Sequence, residues 1–162
     1  MNVVEPMNIV KFIFLLFLAS SIQNSYAESA PNITLDISNN PKTLNDFKGK
    51  LVYLDFWASW CIPCRKSFPF MNEMHNKYKA KGFEVIAINL DKDASLVLKF
   101  LNKYPAQFKI AYDSIGETAE KFNVRAMPTS FLIGRNGEII ATHQGFRQKD
   151  IGKIEQLIQS NL

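Results

Sequence analysis

Leu51-Val52-Tyr53-Leu54-Asp55-Phe56-Trp57-Ala58-Ser59-Trp60-Cys61-Ile62-Pro63-Cys64-Arg65 decides how the rest of this chain is read. From Leu51 to Trp57 the run is almost continuously apolar and aromatic and is bounded by Gly49-Lys50, the pattern of a strand covered on both faces. Beyond Cys64 the apolar residues Phe68, Met71, Met74 and Tyr78 recur at spacings of three, three and four, which marks one stripe of a helix ending near Gly82. A buried strand therefore feeds a helix through a pair of cysteines.

The same rhythm continues downstream. Val85 to Ile88 reads as a second buried strand, and Leu96, Val97, Phe100, Leu101 and Tyr104 give another helical stripe that stops before Pro105. Phe108 to Tyr112 is a further strand, Glu117 to Phe122 a short helix, and Ser130 to Ile133 a strand. Arg135-Asn136-Gly137-Glu138 carries the Asn-Gly hairpin signal, so Ile139 to Thr142 returns antiparallel. Ile151, Ile154, Leu157 and Ile158 form the stripe of a closing helix. Alternating strands and helices followed by a hairpin and a helix predict an α/β fold, a mixed β-sheet with helices on both faces.

Upstream of Phe47 the pattern is weaker. Residues 28–46 are rich in Ser, Asn, Asp, Thr and Pro, with isolated apolar residues at Ile33, Leu35, Ile37 and Leu44, and predict a lead-in with at most one short edge strand. Residues 1–27 have the layout of a secretory signal peptide: a weakly basic start at Met7 to Lys11, an apolar block from Phe12 to Ala19, and Ser25-Tyr26-Ala27 as an A-x-A-like cleavage site. The apolar block is shorter than the roughly 20 residues that span a bilayer. The expectation is therefore export, to a bacterial periplasm, with retention as a membrane tether through residues 7–24 as the alternative. The working domain is residues 47–162.

Composition narrows the function classes. The chain has 162 residues, 47% hydrophobic and 21% charged, as expected of one ordinary globular domain. Its formal charge is +4, but Lys and Arg are interleaved with Asp and Glu, which describes a solvated surface rather than a nucleic-acid patch.

Two cysteines are present, both in Cys61-Ile62-Pro63-Cys64. A bridge between them closes a very short loop, where loop entropy gives the least stabilisation, so a stapling role is poorly motivated. A structural zinc site needs four ligands, and the spacing of Cys61, Cys64, His75 and His143 matches no common zinc pattern. Redox chemistry is the stronger reading. Cys61 lies where a strand ends and a helix begins, so unpaired backbone N-H groups, the helix dipole, Arg65 and Lys66 favour a thiolate there. Pro63 falls in the first helical turn, where its missing N-H costs nothing. Cys61 is thus the expected nucleophile and Cys64 the sulfur that resolves a mixed disulfide.

Asp55 to Arg65 resembles the active-site segment of the thioredoxin superfamily. Phe47-Lys48-Gly49-Lys50, Phe68-Pro69 and the added strand-helix unit from Val85 to Tyr104 make the chain similar to the TlpA-like branch of exported thioredoxins, or redoxins. The resemblance implies a thioredoxin-like sheet with an inserted strand-helix unit, and an enzyme that exchanges disulfides with protein substrates. Pro128 in Met127-Pro128-Thr129 is similar in place to the superfamily's cis-proline, whereas an ordinary X-Pro bond would be trans. Its implied role is to leave the Met127 backbone free to pair with an extended substrate beside Trp60, Ile62 and Pro63.

Asp55 resembles the buried acid of the thioredoxins, implying a proton acceptor for Cys64 whose pKa is raised by burial. The alternative is a carboxylate at a strand edge that reaches water or a backbone donor. Many branch members carry a Glu three residues after the second cysteine, where this chain has Ser67. Asp55 then takes the place of that acid, closer to general thioredoxin.

The reading is a thiol-disulfide oxidoreductase working as a reductant, with no cofactor or metal beyond the cysteine pair. Its electrons come from a membrane or soluble thiol donor that meets an exposed Cys61. The alternatives are a disulfide-introducing oxidant or isomerase, and a module that binds metal or a partner chain on the same fold.

Overall fold

A computed structural model describes residues 28–37 and 40–162, so the signal-peptide expectation for residues 1–27 lies outside the described residues. The chain order is β1 (Thr34–Ile37), β2 (Asn40–Thr43), β3 (Leu51–Trp57), α1 (Cys64–Tyr78), β4 (Phe83–Asn89), α2 (Ala94–Lys103), β5 (Lys109–Tyr112), α3 (Glu117–Lys121), β6 (Thr129–Ile133), β7 (Ile139–Gln144) and α4 (Ile151–Ser160). These strands form one sheet in the order β2-β1-β5-β4-β3-β6-β7. β3, β4 and β5 run parallel because α1 and α2 carry the chain back between them, and β6 and β7 are antiparallel additions on the far side of β3.

β3 is buried at every position, as its apolar run requires, and its alternation divides the core in two. Leu51, Tyr53 and Trp57 pack with Phe68, Met71 and Met74 of α1, Phe100 of α2 and Ile154 and Ile158 of α4. Val52, Leu54 and Phe56 pack on the other face with Leu44, Phe47, Ala119 and Phe122. Helices thus cover both faces, three on the first and the short α3 on the second. Trp57, Phe68 and Phe100 meet with ring centroids 4.6 to 4.9 Å apart, an aromatic floor on the first face.

The Asn-Gly hairpin forms where the sequence placed it. Gly137 takes the left-handed conformation (φ 91°), and the Gly134 N-H donates to the Glu138 carbonyl at 2.8 Å.

The lead-in differs from its expectation. Two strands form instead of at most one, and β1 joins the sheet beside β5 through Asp36 and Tyr112. Ile33 and Leu35 are buried against the second face, so isolated apolar residues in a polar segment suffice once a sheet edge receives them. Pro41 is tolerated because β2 is the outermost strand.

Candidate active site

β3 ends at Trp57, and a tight loop through Ala58, Ser59 and Trp60 delivers Cys61 to the start of α1. Cys61 and Cys64 are joined in a disulfide with their Cα atoms 5.3 Å apart. The Cys64 backbone N-H donates to Cys61 Sγ at 3.3 Å, so one unpaired N-H of the helix start already points at that sulfur. When the bond opens, a thiolate at Cys61 keeps this donor and the positive end of α1. Pro63 occupies the N-cap rather than the first turn, since its carbonyl accepts from Lys66 and Ser67 at 3.0 and 3.2 Å and so opens the helical ladder itself.

Cys61 is not exposed as expected. It is 3% accessible and Cys64 is 0%. Both belong to the apolar cluster of the first face, because the disulfide turns the Cys61 sulfur inward toward Cys64. What reaches solvent is the pair of apolar side chains flanking it, Trp60 at 64% and Ile62 at 65%.

The Met127-Pro128 peptide bond is cis, as the resemblance implied. Thr129 pairs with Phe56 in the register of β3 and β6, so the Met127-Pro128 turn leaves the sheet at the same end as the cysteine loop. Met127 packs against the cluster that holds the cysteines. Thr129 Oγ1 donates to the Ala126 carbonyl at 2.7 Å and the Gly145 N-H donates to the Pro128 carbonyl at 2.7 Å, which fix the turn from both sides. Among the described residues no backbone hydrogen bond engages Met127.

Asp55 is 1% exposed, and its Oδ2 has no hydrogen-bond partner among the described residues. By the alternation of β3 it shares a face with Tyr53 and Trp57, the face that holds both cysteines. Burial pushes its carboxyl well above the usual carboxylate range. The strand-edge alternative is thus corrected: β3 is paired on both sides and the Asp55 side chain is 1% exposed.

Sequence reasoning missed Asp91. Its carboxylate receives the Ser59 N-H at 2.7 Å, the Ser59 hydroxyl at 2.9 Å and the Asn89 amide at 2.8 Å, and so ties the cysteine loop to the end of β4. An acid between Leu90 and Lys92 reads as a solvated loop, and no spacing in the sequence links it to Ser59. Ser67, at the position where many branch members have Glu, is buried and donates to the Cys64 carbonyl at 3.0 Å.

With a strand-to-helix cysteine pair, a cis-proline turn and a buried acid in place, comparison with known proteins is decisive. The Redoxin family model matches residues 26–158. The chain belongs to the redoxin family. Its relatives include the thiol-disulfide oxidoreductase ResA of Bacillus thuringiensis subsp. konkukian, 41% identical over 124 residues that make up 76% of this chain and 72% of that protein. ResA of Bacillus subtilis is 34% identical over 75% of this chain and 68% of its own length. Among solved structures, a putative thiol:disulfide interchange protein DsbE from Chlorobium tepidum superposes with a TM-score of 0.81 at 49% identity, covering 83% of this chain and 96% of the other. This redoxin is a thiol-disulfide oxidoreductase with the thioredoxin fold.

Proposed function

We propose that the protein reduces disulfides in exported proteins, with Cys61 as nucleophile, Cys64 as resolving sulfur and Asp55 as proton acceptor. The Cys61 thiolate attacks one sulfur of a substrate disulfide, and the other substrate sulfur leaves as a thiolate. Asp55 takes the proton from Cys64, whose sulfur attacks Cys61 Sγ and breaks the mixed disulfide. Two electrons pass to the substrate, and the enzyme is left with the Cys61-Cys64 bond. Trp60, Ile62 and Pro63 on one side and Met127, Pro128 and Thr129 on the other form the docking edge for an extended substrate.

The observation that carries this reading is the buried Asp55 carboxyl, its Oδ2 without a hydrogen-bond partner among the described residues, on the face of β3 that holds the cysteines. Burial raises the pKa of this acid, which makes its carboxylate a stronger base toward the Cys64 thiol and favours release of reduced product. Residues 1–27 act as a signal peptide that sends the protein to the periplasm, or residues 7–24 stay as a tether. No cofactor beyond the cysteine pair is required, and a membrane or soluble thiol donor regenerates the dithiol.

Insulin-type disulfide reduction tests the activity: turnover should vanish in Cys61→Ser, and a Cys64→Ser variant should accumulate mixed disulfide. Equilibration with glutathione buffers tests the direction. A potential near the thioredoxin end of the range, about −270 mV, supports the reductant, and one near about −120 mV replaces it with a disulfide-introducing role.

A further inference from the structure

Asp55, Ser130 and His143 stand in one row across three strands. Asp55 of β3 is register partner to Ser130 of β6, and Ser130 is register partner to His143 of β7. Directly opposite residues of antiparallel strands share a face, with Cβ atoms about 5 Å apart. On the other side of Asp55 the partner is Ala87 of β4, which offers neither a proton donor nor a charge.

From this geometry we propose that Ser130 and His143 relay the proton of Asp55 to solvent between turnovers. The relay rests on the reading of Asp55 as proton acceptor. A proton taken from Cys64 must leave a carboxyl that is only 1% exposed, beside two cysteines that are themselves buried. Between the sheet and α4 lies a cavity of about 150 Å³, lined by Tyr53, Ser130, His143, Asp150 and Lys153 together with Thr142 and apolar side chains. It has room for a few waters, which Ser130, His143 and Asp150 can hold in an otherwise largely apolar lining.

The row carries groups that can donate and accept. Tyr53 Oη donates to Ser130 Oγ at 2.7 Å, which leaves the serine hydrogen free to be passed on. Tyr53 feels the Asp55 charge directly, since that charge adds to burial in raising the phenol pKa. His143 Nε2 is buried without a hydrogen-bond partner and lies 3.5 Å from Asp150 Oδ2, while its side chain is 29% exposed. Asp150 is held at the cavity mouth by Arg147 at 2.9 Å. The charged and titratable groups facing the row are Tyr53 from β3, Cys64 from α1, and Arg147, Asp150 and Lys153 from the turn before α4 and from α4 itself. The step balances simply: one proton enters the row from Asp55 and one leaves His143 to bulk water, with no change of oxidation state.

The experiment is catalysed turnover of a small disulfide with excess dithiol reductant, in dilute buffer and with imidazole added. His143→Gln and Ser130→Ala should each turn over about tenfold more slowly in dilute buffer, and imidazole should restore His143→Gln toward the parent rate. The cysteine potential should stay at the parent value in both variants; the melting temperature should stay there in His143→Gln and fall in Ser130→Ala, which takes the acceptor from the buried Tyr53 hydroxyl. Parent rates in both variants, or a loss that imidazole does not restore in His143→Gln, overturn the relay. Asp55→Asn distinguishes the two levels of the argument: it should be slow with or without imidazole. If Asp55→Asn is as fast as the parent, the proton-acceptor reading itself falls. If only Asp55→Asn is slow, that reading stands and the relay alone fails.

Discussion

Ser59 gives both its backbone N-H and its hydroxyl to the carboxylate of Asp91, at 2.7 and 2.9 Å, two residues before the nucleophile. Asn89 completes the clamp by donating to Asp91 at 2.8 Å and accepting the Asp91 N-H at 3.0 Å. The cysteine loop is thereby fastened to a strand that the sequence places far away, and its position relative to β3 and β4 is set by one carboxylate.

Asp91→Ala removes three accepted hydrogen bonds and leaves the Ser59 N-H without its charged acceptor, a loss of about 2 to 3 kcal/mol in stability. Disulfide turnover should fall in the same variant, because the loop that presents Cys61 loses its anchor. Thermal unfolding and turnover measured together check this, and an unchanged melting temperature would contradict the clamp. Asp91→Asn, which keeps an acceptor oxygen, should fall between the two.

Trp60 and Ile62 are the large apolar side chains beside the disulfide that face solvent. Their removal costs the fold little, since little area is buried. Against a protein disulfide, Trp60→Ala should raise KM by about tenfold, the effect of losing one aromatic anchor worth about 1 to 2 kcal/mol. Against a small disulfide the same variant should react at the parent rate. Equal losses with both substrates would show that Trp60 acts on the cysteines rather than on docking.

Arg135 offers a contrast, a residue of the fold with no part in the chemistry. Its guanidinium donates to the main-chain oxygens of Gly49 at 2.6 Å, Lys81 at 3.1 Å and Leu162 at 2.7 Å, so three loops at the end of the sheet away from the cysteines share one side chain. Arg135→Ala should lower stability by about 2 kcal/mol or more, while turnover per folded molecule stays at the parent value. Lysine cannot reach three acceptors from a single ammonium in this planar arrangement, so Arg135→Lys should recover only part of the loss. Urea unfolding of the three proteins is the measurement.

The parts of the structure legible in the sequence are those governed by local pattern. Leu51 to Trp57 announces a doubly covered strand because both faces are apolar, and the stripes of α1, α2 and α4 follow from spacing alone. The cysteine pair is legible for the same reason, as its chemistry depends on a strand-to-helix junction that the sequence marks. The lead-in was legible only as at most one short strand, because Ile33 and Leu35 become core only when the edge of β5 is there to receive them. The row Asp55, Ser130 and His143 depends on strand register, which side-chain pattern sets only after the strands are ordered. The burial of Cys61 was misread because a helix tip specifies charge, not which way an oxidised sulfur turns.

Asp55 makes a prediction about stability as well as activity. Its carboxyl is buried without a partner for Oδ2, and burial raises its folded-state pKa above the unfolded value of about 3.9. Below that unfolded value both states are protonated and the group costs nothing extra. As pH rises past it, the unfolded chain releases the proton while the folded protein holds it, so stability falls until the folded-state pKa is reached and is constant beyond. The parent should therefore be less stable at pH 7 than Asp55→Asn, with the two curves converging as pH drops to about 4. Denaturant unfolding of the oxidised proteins across this range checks the sign: a variant less stable than the parent at pH 7 would mean that the native carboxylate has a stabilising partner, and the basis for proton acceptance from Cys64 would be lost.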